Sequence, residues 1–398
     1  MSKNLSKKKK VAISRLVLVT VIAAIVVVSG VMGYYAFIFN PPTATITTTS
    51  TTTATTTSTQ STTTLPKISL NGAGASFPYP LYSTMIVQYN KIYPNIQINY
   101  QSIGSGGGIR QHTNKTVDFG ASDAPLTEAQ RSAAPNTLHL PMTIGCVVLA
   151  YNLPGIPKGL NMTGQVISDI FLGNIKKWND PAIKNLNPNV QLPDMDILTV
   201  HRADGSGTTF VFTSYLSIAS SNWKSQVGAG TAVQWPIGLG SAGNEGVAGL
   251  VRGTQYTIGY VEIAYALQNK MTYAYVMNKD GYFVEPTLES IKSAVVSAST
   301  TLPKGDESWV AVSLLNIQGT NSYPIVSFSY IIVYKELNVL PSMNKNKAQA
   351  LVDFLWWATH DGQSYATSLS YVPLPQSVVP INEQTISSIT YNGQTLRG

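Results

Sequence analysis

Residues 67–121 read KISLNGAGASFPYPLYSTMIVQYNKIYPNIQINYQSIGSGGGIRQHTNKTVDFGA. The apolar runs Ile68–Leu70, Ile96–Tyr100 and Val117–Ala121 have strand length, and Tyr79–Lys91 and Gly106–Thr116 between them have helical length. That order, βαβαβ, predicts an α/β build. The same punctuation continues downstream, with strands expected at Thr143–Tyr151, Ile197–Arg202, Ile258–Val261, Tyr273–Met277 and Ile325–Tyr334. Ala348, Leu351, Val352 and Leu355 then recur at helical spacing, which marks a helix with one buried face. At 398 residues the chain exceeds one ordinary core, so two lobes with a cleft between them are expected.

Upstream of this part the composition changes. Lys3, Lys7, Lys8, Lys9, Lys10 and Arg15 supply six of the net positive charges, and residues 16–398 stand near +1. A nucleic-acid partner needs a basic patch on the folded part; none is evident, so no nucleic acid is expected. Leu16–Phe39 carries no charge and, as a helix, reaches about 36 Å, enough to cross a hydrocarbon core of about 30 Å. It outruns a signal-peptide core of about 7–15 residues, so a retained membrane anchor is expected, with cleavage as the alternative. In either case the basic segment 1–15 stays in the cytoplasm and everything after Asn40 faces outward. Residues 40–66 read as a stalk, since 15 Thr and 3 Ser occupy 18 of the 22 positions from 43 to 64 and such a stretch cannot bury a core. Cys146 is alone, which excludes an internal disulfide and any lipid-bearing cysteine beside the apolar run.

Three segments share one physical design, a small-residue turn that leaves a strand and opens a helix. They are Gly72-Ala73-Gly74-Ala75-Ser76-Phe77, Gly104-Ser105-Gly106-Gly107-Gly108 and Asp204-Gly205-Ser206-Gly207-Thr208-Thr209. Glycine lets backbone approach a ligand, and the unpaired N–H groups and dipole of a helix start attract an anion. Each turn taken singly is a capped helix start, and three converging would be hard to explain as caps. Arg202 and Asp204 lie two apart on an extended segment and can pair, either as a surface ion pair or as an anion clamp held in place. Asp123, in a small-residue loop at a strand end, is on local grounds a helix cap or turn residue. His112, His139, His201 and His360 show no metal-ligand spacing, and neither a phosphate-loop motif nor a nucleophile elbow is present. No metal, cofactor or catalytic residue is expected.

The segments GAGASFPYPLY (72–82), IGSGGG (103–108), VDFGASDAPL (117–126), FLGNIKKWND (171–180), RADGSGTTFVFTSYL (202–216), WPIGLG (235–240), GNEGVAGLV (243–251) and IGYVEIAYA (258–266) follow one another along the chain. Through them the chain resembles, from Ile68 to Pro380, the phosphate-binding protein of the phosphate ABC importer. The resemblance implies an α/β, two-lobed periplasmic-binding-protein (type II) fold with hinge strands between the lobes. Lobe 1 would take 67–142 and 325–398, and lobe 2 would take 143–324. It implies inorganic phosphate as ligand, held by Ser76, the Phe77 backbone, Ser105, Asp123, Arg202, Ser206, Gly207 and Thr208, with Asp204 supporting Arg202. The expected partner is the importer's permease, and the expected state is a monomer on the cell surface. A sulfate-binding relative and a secreted phosphatase are the alternatives. Ser76 stands where relatives often have Thr, and His201 where they often have a second Arg beside the clamp; His201 is expected to face away from the anion, since adjacent strand residues point oppositely.

Overall fold

Alternation of Ile96 and Ile98 with exposed Gln97 and Asn99 makes Ile96–Ser102 (β2) the edge strand of a mixed sheet. Its parallel neighbour is Ile68–Gly74 (β1), which pairs in parallel with Phe119–Ser122 (β3) on the other side. The computed structural model describes residues 65–298 and 302–397. The basic segment, the apolar run and the stalk up to residue 64 lie outside the described residues. Helices Tyr79–Ile92 (α1) and Ser105–Thr113 (α2) connect the three strands. Gly72 and Gly74 fall inside β1 and not in the turn expected there. A Cβ on Gly72 would enter the Phe119 ring, and one on Gly74, at φ +147°, would strike the Ala121 backbone. Both glycines serve close strand approach.

Two long strands join the halves of the molecule. Thr137–Asn152 (β4) is buried at every residue except Asn152 and far exceeds the strand expected from Thr143 to Tyr151. From Thr137 to Cys146 it pairs antiparallel with Ile325–Tyr334 (β8), and from Val147 to Asn152 with Thr257–Glu262 (β7). Beyond β7 the sheet continues in parallel through Leu198–Arg202 (β5) to Leu239–Ser241 (β6). The path is β2-β1-β3-β8-β4-β7-β5-β6. This is a two-lobed α/β fold with a curled sheet, three parallel strands on each flank and the antiparallel pair β4 and β8 in the middle.

Pro141, which has no N–H to give, lies inside β4 beside the point where the register against β8 shifts, between Ser329 and Tyr330. Helices Gly207–Ala219 (α3) and Gly243–Gly253 (α4) leave β5 and β6 at their C-terminal ends. Lys345–Thr359 (α5) follows β8 and sets Phe354 against Tyr89 and Phe119, with ring centroids 5.2 and 6.2 Å apart. The strand expected at Tyr273–Met277 breaks at Ala274. Thr272–Tyr273 adds to β4, while Tyr275–Met277 joins a separate small sheet, because Ala274 donates to the Leu149 carbonyl and Tyr275 to the Leu160 carbonyl.

Candidate functional site

Arg202 ends β5 with its guanidinium buried, and its Nε donates to Asp204 Oδ1 at 2.7 Å while Nη2 binds Asp204 Oδ2. The pair is bidentate, and Nη1 reaches Thr208 Oγ1 at 3.3 Å. Three of the five guanidinium hydrogens are thereby placed, leaving two for another partner. Asp204 also accepts from Gly243 N at 3.2 Å. Burial alone would raise its carboxyl; the Arg202 bonds and charge outweigh that and hold it below the ordinary carboxylate value.

Asp123 is buried at the end of β3, and its Oδ1 accepts the Ser329 hydroxyl at 2.7 Å from β8, beside the register shift. It caps no helix. The following helix, Glu128–Ala133, is capped by Thr127, which forms a reciprocal capping box with Gln130. Burial pushes the Asp123 carboxyl up to about 7, against the downward pull of Ser329, Arg202 and Ser105. Ser105 Oγ accepts from Asp123 N at 3.2 Å and from Gly207 N at 3.1 Å, and its hydrogen faces Asp123 Oδ2 at 3.5 Å.

Ser76 Oγ meets Asn244 across the cleft, accepting from its backbone N at 3.1 Å and its Nδ2 at 3.0 Å. The peptide carbonyls of Ser76 and Phe77 are tied back by Tyr265 Oη (2.7 Å) and Tyr371 Oη (2.6 Å). In a trans peptide the N–H opposes the carbonyl, so the Tyr265 bond also aims Phe77 N–H. Ser206 caps α3 by accepting from Thr209 N at 3.0 Å. Gly106 N donates to the Gly205 carbonyl at 2.8 Å, so the second and third small-residue turns touch. A Cβ on Gly207 would meet the Asp123 carboxylate and the Ser105 hydroxyl, which is the physical reason for glycine there. The three turns, Arg202 and Asp123 therefore meet in one buried cluster.

His201 stays outside it, stacked on Trp235 with centroids 4.8 Å apart and with Nδ1 at 3.0 Å from the Arg202 carbonyl oxygen. Four participants carry no signal that the sequence reading caught: Asn244, Ser329, Tyr260 and Glu262. Tyr260 Oη accepts from Arg202 N at 3.1 Å, and Glu262 N donates to Asn244 Oδ1 at 2.9 Å. The start of α4 is a fourth helix N-terminus at the cluster, giving Gly243 N to Asp204 and Asn244 N to Ser76. Its signal was present in Gly240-Ser241-Ala242-Gly243-Asn244, which follows the same strand-to-helix grammar. Among the described residues no group of three or more His, Cys, Asp or Glu is placed to hold a metal.

A PBP superfamily domain model matches residues 44–361. The phosphate-binding protein PstS of Pasteurella multocida is 48% identical over 312 residues, covering 78% of this chain and 88% of that protein. This chain belongs to the PstS family of phosphate-binding proteins. Within this family the protein of that name from the archaeon Methanocaldococcus jannaschii is 38% identical over 337 residues, covering 81% of this chain and 86% of its own length. The crystal structure of a phosphate-binding protein from Stenotrophomonas maltophilia shares the fold with a TM-score of 0.60 at 17% identity, over 78% of this chain and 92% of that one.

Proposed function

We propose that this PstS-family chain is an extracellular receptor that closes two lobes around one inorganic phosphate ion and delivers it to the permease of an ABC importer. The observation that carries the reading is the balance of the buried cluster. A braced guanidinium, helix-start N–H groups and hydroxyls donate, and one carboxyl, Asp123, accepts. Ser76, Phe77 N–H, Ser105, Asp123, Arg202, Ser206, Gly207 and Thr208 would hold the ion, with Asp204 bracing the clamp. Lobe 1 would comprise 67–142 and 325–398, lobe 2 would comprise 143–324, and β4 and β8 would serve as the hinge. A phosphatase would need a base beside Ser76 or Thr208. His112 and His139 are buried elsewhere and, with burial lowering both to about 3, stay neutral, while Asp123 is engaged by Ser105 and Ser329.

The test is a calorimetric titration of the full-length chain in detergent with phosphate and with sulfate. Above pH 8, where the Asp123 carboxyl is mostly ionised, binding of one phosphate in strong preference to sulfate is expected. Equal affinity for sulfate, or sustained turnover of a chromogenic phosphate ester, would sink the receptor reading. Gly207→Ala is expected to weaken phosphate binding by about 1–3 kcal/mol, because the added methyl overpacks against a carboxylate and a hydroxyl held by their own bonds. Unchanged affinity in that variant would remove Gly207 from the contact set.

We further propose that Leu16–Phe39 is retained as the anchor and that the receptor works as a monomer. Among the described residues no helix is long and apolar enough to cross a membrane, so the tether rests on the N-terminal run alone. The full-length protein should stay in the membrane pellet after an alkaline carbonate wash; recovery as a soluble species beginning near Asn40 would establish cleavage.

A further inference from the structure

Asn244 is fully buried at the second residue of α4, and every polar atom of its side chain is committed. Its Oδ1 accepts from Glu262 N at 2.9 Å, which decides the orientation of the amide, because a backbone N–H can face the oxygen end and not the NH₂ end. The two Nδ2 hydrogens then go to Ser76 Oγ at 3.0 Å and to Thr208 Oγ1 at 2.9 Å. Ser76 Oγ takes a second donor from Asn244 N at 3.1 Å, and Thr208 Oγ1 takes a second from Arg202 Nη1 at 3.3 Å. A hydroxyl offers two lone pairs and one hydrogen. Both lone pairs of both hydroxyls are therefore filled.

We propose that Asn244 is a positioning residue that makes Ser76 and Thr208 obligate hydrogen-bond donors toward the bound anion. The inference rests on the phosphate-receptor reading above and adds a rule for where a ligand proton can go. An ordinary serine hydroxyl facing a protonated ligand oxygen simply rotates and accepts. Ser76 and Thr208 cannot, because accepting would require Asn244 or Arg202 to let go of a buried bond. Ser105 is saturated in the same way by Asp123 N and Gly207 N. A proton on the ligand is thus steered to Asp123. Because Ser76 precedes α1 while Thr208 and Asn244 sit on α3 and α4, the arrangement is complete once the two flanks of the sheet have come together.

The test is a double-mutant cycle on phosphate dissociation constants in the full-length chain, measured by calorimetry. Ser76→Ala alone is expected to weaken binding about 5–10-fold, the size of one neutral hydrogen bond. In an Asn244→Ala background, where the Ser76 hydroxyl is no longer oriented, the same substitution should cost less than about twofold. Fold-losses that multiply would overturn the proposal, since a residue that merely supports the fold has no reason to cancel the cost of Ser76→Ala. Asn244→Ala leaves Glu262 N without its acceptor. If circular dichroism shows that variant unfolded, the cycle is run on Asn244→Asp, which keeps that acceptor and the side-chain shape. There the carboxylate turns both hydroxyls away from the ion, and Ser76→Ala should again cost less than about twofold. A full 5–10-fold cost in that background would leave charge repulsion as the whole effect and overturn the proposal. A wild-type chain that binds no phosphate overturns the receptor reading and this inference with it, whereas phosphate binding with multiplicative losses overturns this inference alone.

Discussion

Asp123→Asn is expected to keep the fold and most phosphate affinity while admitting sulfate. Phosphate near neutral pH retains at least one proton and can donate it to a carboxylate; sulfate has none and would press an oxygen against an oxygen in a desolvated cleft. With that carboxylate fully ionised, well above pH 7, a site built around one required hydrogen bond can reject a ligand lacking it by roughly 10⁴–10⁵. The asparagine amide still offers an acceptor but adds a donor, so the ratio of sulfate to phosphate dissociation constants should collapse toward one. An unchanged ratio would strip Asp123 of its selectivity role. The raised carboxyl, pushed up to about 7 by burial, adds a pH signature. Sulfate can bind the protonated form, whose fraction falls about tenfold per unit above pH 7, so its dissociation constant should rise at that slope in wild type and stay flat in Asp123→Asn.

The same substitution has a stability consequence of definite sign. A buried carboxyl whose folded value is raised contributes full stability below its ordinary value near 3.8 and loses it as pH rises through about 7. Asp123→Asn should therefore stabilise the phosphate-free protein relative to wild type by up to about 1.4 kcal/mol for each pH unit between 4 and 7. Denaturant melts at pH 4 and pH 8 measure it. A gain that shrinks as pH rises would refute the burial account.

Arg202→Ala is expected to cost at least ~2 kcal/mol of phosphate binding, roughly 30-fold, and more than the loss of any one hydroxyl. Truncation removes the charged donor to the ion and the Nη1 bond to Thr208, and leaves the Asp204 carboxylate beside the cleft with Gly243 N as its remaining helix-start partner. Breaking a buried pair by deleting one partner is costly because the other charge stays. Ser105→Ala differs in kind. It orphans Asp123 N and Gly207 N, so much of its cost should appear as a lowered melting temperature in the phosphate-free protein. Equal losses of phosphate affinity in the two variants would show the ranking to be wrong.

Arg202, Asp204 and the three turns are legible in the sequence because their signals are local. A small-residue turn at a strand-to-helix junction advertises free N–H groups within five residues, and a charged pair two apart on a strand needs no tertiary information. Asp123 is ambiguous there because a carboxylate in a small-residue loop caps helices as readily as it faces ligands; the capping box at Thr127 decides the matter from outside the loop. Asn244 is legible only as part of a small-residue helix start, Gly240–Asn244, and Ser329 is not legible as a participant at all. Their roles depend on α4 and β8 arriving from 168 and 206 residues away to meet Ser76 and Asp123. The break at Ala274 is hidden for the same reason, since two strand-prone segments look continuous until each finds a different partner.

The placement of β8 carries a consequence for biogenesis. Asp123 directly follows β3, and β3 closes against a strand that begins at Ile325, so roughly half the chain is synthesised between one edge of that junction and the other. Closing so long a loop is entropically unfavourable until the distant contact rewards it, and topologies dominated by such pairings fold slowly. A nascent chain that has exposed only its first βαβαβ unit lacks the β8 edge and Ser329, and with them a finished ion site. The polypeptide can therefore stay unfolded through much of its synthesis, and ion affinity would appear late, as a reporter that the final fifth of the sequence has docked.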